Sequence, residues 1–278
     1  MDYLPKIVES MKANGVKANV ITYSTMLKGH CQNGNIQEGF AILEQMKRDA
    51  NLKPDEIMYN SLLDGCAQNH LADEGLRLLE DMQNEGIPPS NFTLSILVKL
   101  MNRARRLDRA FSLVEEITKK YHFKPNVHVY TNLVQACASN QQLSRGLDVL
   151  EQMIQEKVAP DSRTYSILIR SSISKGLFEQ AAGLLRGALG LSDALPFLQQ
   201  RGAVGPNIEC ALVNETLSSL AERGQTQNLA VPLLTAIRQN APKVRIDAAI
   251  QRRVMSPCVS CDGGSAQASK GRHPWNRQ

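Results

Sequence analysis

The chain lacks several things that would point to common protein classes. No apolar run is long enough to cross a bilayer as a helix. Aromatic residues make up only 5% of the 278 positions, with a single tryptophan, Trp275. Residues 1 to 242 carry no excess charge, holding 25 basic and 25 acidic side chains. The formal charge of +5 arises from the last 36 residues, which hold seven bases and two acids. Binding of a polyanion would therefore depend on where charge sits rather than on how much there is. The cysteines, at 31, 66, 137, 210, 258 and 261, form no disulfide framework. Cys31, Cys66 and Cys137 read as small buried apolar residues, which implies reducing surroundings.

Catalytic motifs are also missing. There is no phosphate-binding loop, no nucleophile triad and no paired-carboxylate motif. The tail contains Pro257-Cys258-Val259-Ser260-Cys261, which matches half of a zinc deaminase signature. The other half, H-x-E, is absent: His30, His70, His122 and His128 are not followed by Glu two positions on, and His273 comes after the cysteines. Two thiols do not complete a tetrahedral zinc site. The pair is read as a chance match, and no metal, cofactor or enzymatic activity is expected. The tail is rich in Gly and Ser, and residues 248–278 are expected to be disordered.

What the chain does have is a beat. Tyr23, Tyr59, Leu94, Tyr130 and Tyr165 fall 36, 35, 36 and 35 residues apart. Pro54, Pro89, Pro125 and Pro160 keep the same time, as do Met46, Met82, Ile117 and Met153. Such a period marks a repeat architecture. Within Val20 to Asp55, Tyr23, Met26, Leu27 and Cys31 have helical spacing, and so do Ile36, Phe40, Leu43 and Met46. Gly34 separates the two runs as a helix terminator would, Pro54 stops the second, and Asp55 suits the N-cap of the next. Each unit thus reads as helix, turn, helix, link.

The expected division is a partial repeat over 1–19 and repeats over 20–55, 56–90, 91–126, 127–161 and 162–207. The last of these has a stretched link rich in Gly and Pro, and a degenerate sixth repeat covers 208–247. One helix pair cannot bury its apolar faces alone, so the units must stack. The chain opens mid-repeat, which predicts a fragment of a longer array. First helices carry Lys28, Lys99, Arg103, Arg163, Arg170, Lys175 and Arg223, with Asp64, Glu215 and Glu222 among the acids. Second helices lean acidic. If first helices line one face, that face is the more basic.

The strings VITYSTMLKGHCQNGNIQEGFAILEQM, MYNSLLDGCAQNHLADEGLRLLEDM and VYTNLVQACASNQQLSRGLDVLEQM resemble pentatricopeptide repeats of the pure 35-residue class. The resemblance is close from Val20 to about Arg186 and looser to about Asn240. Tetratricopeptide arrays have a 34-residue period and a Trp-Leu-Gly-Tyr signature, neither of which is present. The resemblance implies an all-α, right-handed superhelical solenoid that binds single-stranded RNA, one base per repeat. It also implies a chloroplast or mitochondrion as the setting, with a role in RNA processing, stability, splicing, editing or translation. No transit peptide is visible in this chain.

In that family the fifth and last residues of a repeat choose the base, and the second packs on its face. Carried over, the pairs are Ser24 with Asp55 for G and Asn60 with Ser90 for C over U. Ser95 with Asn126 favours A, Thr131 with Asp161 favours G, and Ser166 with Asn207 favours A. Asn214 is left without a partner. The implied target is 5′-G-[C/U]-A-G-A-3′. The packing residues are Ile21, Ile57, Phe92, His128 and Arg163. Where the family often places a phosphate-binding lysine, this chain has Gln32, Gln68, Arg103, Ser139 and Lys175, so only Arg103 and Lys175 are expected to meet phosphate. The last residues of the repeats are also favoured N-caps. The fifth residues are mediocre helix formers, and their recurrence points to a face kept for a ligand. The competing reading is a scaffold that holds a peptide or protein partner in the same groove.

Overall fold

The computed structural model describes residues 10–11, 13–16, 18–48, 52–191, 194–199 and 208–255, apart from the side chains of 197 and 199. All regular structure among them is helical. The first four pairs are α1 (Val20–Gln32) with α2 (Ile36–Arg48), α3 (Glu56–Gln68) with α4 (Ala72–Asn84), α5 (Asn91–Arg103) with α6 (Leu107–Tyr121), and α7 (Val127–Ser139) with α8 (Leu143–Gln155). A fifth pair joins α9 (Ser162–Ser174) to α10 (Phe178–Leu189), followed by the short α11 (Pro196–Gln199). Then come α12 (Cys210–Glu222), a π-helical turn over Thr226–Ala230, α13 (Val231–Asn240) and α14 (Ala248–Met255).

The period seen in the sequence is a period of backbone conformation. Every described residue with positive φ falls in one of two columns. Gly34, His70, Arg105, Gln141, Gly176 and Gly224 close first helices, and Gly15, Gly86, His122, Lys157 and Gly190 close second ones. Where it occurs, the left-handed residue ends the helix because the amides after it can fold back onto the last turn. In the first unit Asn35 N donates to His30 O at 2.9 Å, and Leu71 N and Gln142 N make the equivalent bonds to Cys66 O and Cys137 O. His70, Arg105 and Gln141 hold this conformation without being glycine, at a cost of about 1–2 kcal/mol each.

The anchor columns form the core. Tyr23, Tyr59, Tyr130, Tyr165 and Leu94 are buried, as are Met46, Met82, Met153 and Ile117. First helices stack directly on first helices, in the order α1, α3, α5, α7, α9, and each second helix also touches the next first helix. The first helices therefore make one continuous layer with the second helices behind it. Small residues set the spacing: a Cβ added at Gly39 would lie 3.0 Å from Leu62 Cδ2, and one at Gly75 would lie 2.3 Å from Leu100 Cδ2. Polar ties join α2 and α3 to Asp81 on α4. Lys47 Nζ meets Asp81 at 2.5 Å, and Tyr59 donates its hydroxyl to the same carboxylate at 2.8 Å.

The stretched link does not break the stack. α12 packs against α9, and the Arg170 guanidinium grips both oxygens of Glu215 at 2.8–3.0 Å. One expectation needs correction. Residues 248–255 are not irregular: α14 packs on α12, and Val254 is fully buried. Asp247 accepts from Ala249 N at 2.8 Å at the start of this helix, and Ile250 and Val254 stand one turn apart to face the core. The rest of the tail, including Cys258 and Cys261, lies outside the described residues.

Candidate nucleic-acid interface

The layer of first helices presents two columns with opposite exposure. Second-position residues point outward: Ile21 is 73% exposed, Ile57 62% and Phe92 65%, and His128 and Arg163 are exposed as well. Large apolar side chains kept in water at one position of successive repeats serve no core, and they form a row of platforms. Fifth-position residues lie lower, in the seams between neighbouring first helices. Asn60 is 4% exposed, Ser95 7% and Thr131 3%, while Ser24, Ser166 and Asn214 are half-buried.

Last-position residues reach the same seams from the links. Asp55, Ser90, Asn126 and Asp161 cap the next first helix, accepting from the backbone of Met58, Phe92, Val129 and Thr164 respectively. A capping carboxylate or amide has acceptor capacity left over after one such bond. In the fourth repeat the fifth and last residues meet: Thr131 Oγ1 lies 3.5 Å from Asp161 Oδ1 and 2.7 Å from Thr164 Oγ1. In the second they are bridged, because Asn60 Nδ2 and Ser90 Oγ both donate to Glu56 Oε1. In the third, Ser95 and Asn126 are reached by different partners: Asn132 Nδ2 donates to Ser95 O, and Asn126 N donates to Asn91 Oδ1. Asn207 lies outside the described residues.

Asn214 proves to have a neighbour. Its Oδ1 accepts from Asp247 N at 3.0 Å, and Asp247 sits at the start of α14 as the other last-position residues sit at theirs. The sequence reading missed Asp247 because it treated 248–278 as irregular. Glu56 was missed as well, although an acid at the first position, where Val20 and Val127 stand in other repeats, was a visible signal.

A groove of about 410 Å³ opens over the first three repeats, lined by Glu56, Ile57, Asn60, Phe92 and Ser95, with Lys28 and Lys99 among its walls. The two residues expected to meet phosphate are partly engaged within the protein. Arg103 Nη1 donates to Ala67 O at 2.6 Å, and Lys175 Nζ donates to Gln141 O. Both bonds tie one repeat to the one before. Burial pushes the thiols of Cys31 and Cys137 up to about 11 and that of Cys66 to about 12, so these three are packing residues and not nucleophiles. Among the described residues no cluster of His, Cys, Asp or Glu could hold a metal ion.

Two family descriptions match this sequence. The pentacotripeptide-repeat region of PRORP matches residues 58–186, and the PPR repeat family matches residues 18–68. The chain belongs to the pentatricopeptide repeat family. The array is 27% identical over 156 residues to a chloroplastic pentatricopeptide repeat-containing protein of Arabidopsis thaliana, a match covering 55% of this chain and 20% of that one. It is 29% identical over 174 residues to a mitochondrial 15S rRNA processing factor of Yarrowia lipolytica, covering 60% of this chain and 22% of the relative. The array thus spans about a fifth of the length of these curated relatives. Among solved structures, the pentatricopeptide repeat protein PPR10 from maize superposes with a TM-score of 0.65 at 17% identity, over 90% of this chain and 33% of that one. PPR10 in complex with an 18-nt psaJ RNA element gives 0.53, again at 17% identity, over 87% of this chain and 38% of that one. At such identity the structural likeness establishes the pentatricopeptide solenoid fold.

Proposed function

We propose that this pentatricopeptide array binds single-stranded RNA along its layer of first helices and serves RNA processing in a chloroplast or mitochondrion. The observation that carries this reading is the pairing of an exposed second-position column with a buried polar fifth-position column in the seam beside it. A base laid between successive platforms, such as Ile57 and Phe92, would stack on apolar and cationic side chains. Its edge would then reach Asn60, Ser95 or Thr131 at the floor. The proposed target is 5′-G-[C/U]-A-G-A-3′, read by Ser24 with Asp55, Asn60 with Ser90, Ser95 with Asn126, Thr131 with Asp161, and Ser166 with Asn207. Asn214 with Asp247 adds a sixth position, for which the Asn–Asp combination favours U. Lys28, Lys99, Arg103 and Lys175 supply the few phosphate contacts, so affinity should fall only gently with salt.

A gel shift with RNA containing GCAGAU against a scrambled strand tests this. Tighter binding of the ordered strand supports the reading. Equal binding of both removes the base code, and no binding of either favours a peptide as the occupant of the groove.

A further inference from the structure

The carboxylate of Glu56 is the centre of a side-chain network in the second repeat. Three donors converge on its Oε1: Asn60 Nδ2 at 3.1 Å, the Ser90 hydroxyl, and Thr93 Oγ1 at 3.4 Å. Asn60 and Ser90 are the fifth and last residues of the second repeat, so Glu56 ties together the two side chains expected to read one base. The same network has a cost. Asn60 is 96% buried, and its Oδ1 is shielded from water with no hydrogen-bond partner. An orphaned buried acceptor is unfavourable, which points to a donor that arrives from outside. Asn60 lines the groove, beneath the platforms Ile57 and Phe92.

We infer that Glu56 is a specificity-determining positioning residue, which locks the Asn60 amide so that the second repeat accepts cytosine and rejects uracil. The inference rests on the RNA reading above. An asparagine amide is two-faced and can turn its carbonyl or its NH₂ toward a ligand. Here the choice is removed. Turning the amide over would set its carbonyl oxygen against the Glu56 carboxylate and lose the bond at 3.1 Å. The carbonyl oxygen is therefore held free of Glu56, and a base entering the groove must part the side chains over it to pair there. Cytosine carries an amino donor at C4, where uracil carries a carbonyl oxygen. The first satisfies the orphaned acceptor, and the second opposes acceptor to acceptor. Ser90 cannot rescue uracil with its hydroxyl proton, which is committed to Glu56.

The base-code reading assigns this preference to Asn60 and Ser90 alone, so replacing Glu56 would leave it unchanged. On the present inference the preference collapses. Valine stands at the equivalent position of the first and fourth repeats, as Val20 and Val127, so Glu56→Val suits the fold. The test is fluorescence anisotropy with the full chain and two labelled oligonucleotides of identical unstructured flanks, one containing GCAGA and the other GUAGA. The wild type should bind the cytosine strand about tenfold more tightly, the size of effect expected when a buried polar group is left unpaired. In Glu56→Val the two strands should bind within about threefold of each other. A wild-type ratio already within about threefold overturns the inference without recourse to the variant. A variant that keeps the wild-type ratio overturns it too, while leaving the RNA reading intact. Failure of the wild type to bind either strand overturns the RNA reading and this inference with it.

Discussion

Arg170 and Glu215 lie 45 residues apart and form a two-pronged ion pair between the first helices α9 and α12. The pair holds the sixth repeat in the stack across the stretched link. It also consumes a cation on the layer that carries the platforms. Burial has little part in it. The Glu215 carboxylate holds the Arg170 guanidinium above its ordinary pKa, first through the hydrogen bond and then through charge.

Glu215→Ala should therefore act in two directions. Stability should fall by no more than about 1 kcal/mol, since the pair is half exposed to solvent. RNA affinity at low salt should rise, because Arg170 is released to meet phosphate. The slope of log affinity against log salt should steepen by about 0.7. Titration of RNA binding at several salt concentrations checks this, and an unchanged slope would place Arg170 away from the RNA path.

Thr131→Asn should turn the fourth base from G toward U. The hydroxyl of Thr131 sits beside Asp161, so the substitution changes what the pair presents at the seam. The shift should amount to about tenfold between the two bases, within the usual cost of one mismatched position. Binding measured against all four bases at that position is the check. An unaltered preference would mean that the repeat register is displaced.

Two glycine substitutions should differ in size of effect. Gly75→Ala sets a Cβ 2.3 Å from Leu100 Cδ2, and Leu100 is fully buried with little room to move. It should destabilise by about 1–3 kcal/mol through overpacking. Gly146→Ala meets Leu168 at 3.3 Å and Cys137 at 3.4 Å. There the gain in helix propensity, up to about 1 kcal/mol, should roughly offset the contact. Urea unfolding midpoints of the two variants decide the matter, and equal losses would show that Leu100 and Leu168 yield to the same extent.

The buried thiols give a pH dependence with a definite sign. Burial raises Cys31 and Cys137 to about 11 and Cys66 to about 12, from an ordinary value of 9.0. The folded state thus holds these protons more tightly than the unfolded chain. Their contribution is fully present below pH 9 and is lost as pH rises from about 9 toward 11 to 12. Unfolding free energy of the Cys31→Ser, Cys66→Ser, Cys137→Ser triple variant should fall less steeply over that window than that of the wild type. Identical slopes would show that the thiols titrate as freely in the fold as outside it.

Much of this architecture was legible before any coordinates. Tyr23, Met46 and Pro54 each recur with one period, and a column that repeats in sequence must repeat in space when its neighbours are copies of one unit. The second-position column was legible for the same reason: Ile21, Ile57 and Phe92 fall outside the helical apolar stripe and are left in solvent. The end of the array was less so. The link after Arg186 breaks the period, and without it Asp247 could not be matched to Asn214, nor Ala248–Met255 be seen as a helix with a packing face.

The sequence by itself determined the repeat, its helix boundaries, its core columns and its neutrality, because these depend on periodicity and local propensity within one unit. Only the tertiary structure decided what meets between units. Thr131 finds Asp161 and Thr164, Arg170 finds Glu215, and Glu56 gathers Asn60, Ser90 and Thr93. Such contacts join residues about thirty or more positions apart, apart from the one-turn step between Glu56 and Asn60. They turn on side-chain reach and on which donor takes which acceptor. A repeating pattern fixes neither, since one changed residue, a glutamate where the first and fourth repeats have valine, draws Asn60, Ser90 and Thr93 to itself.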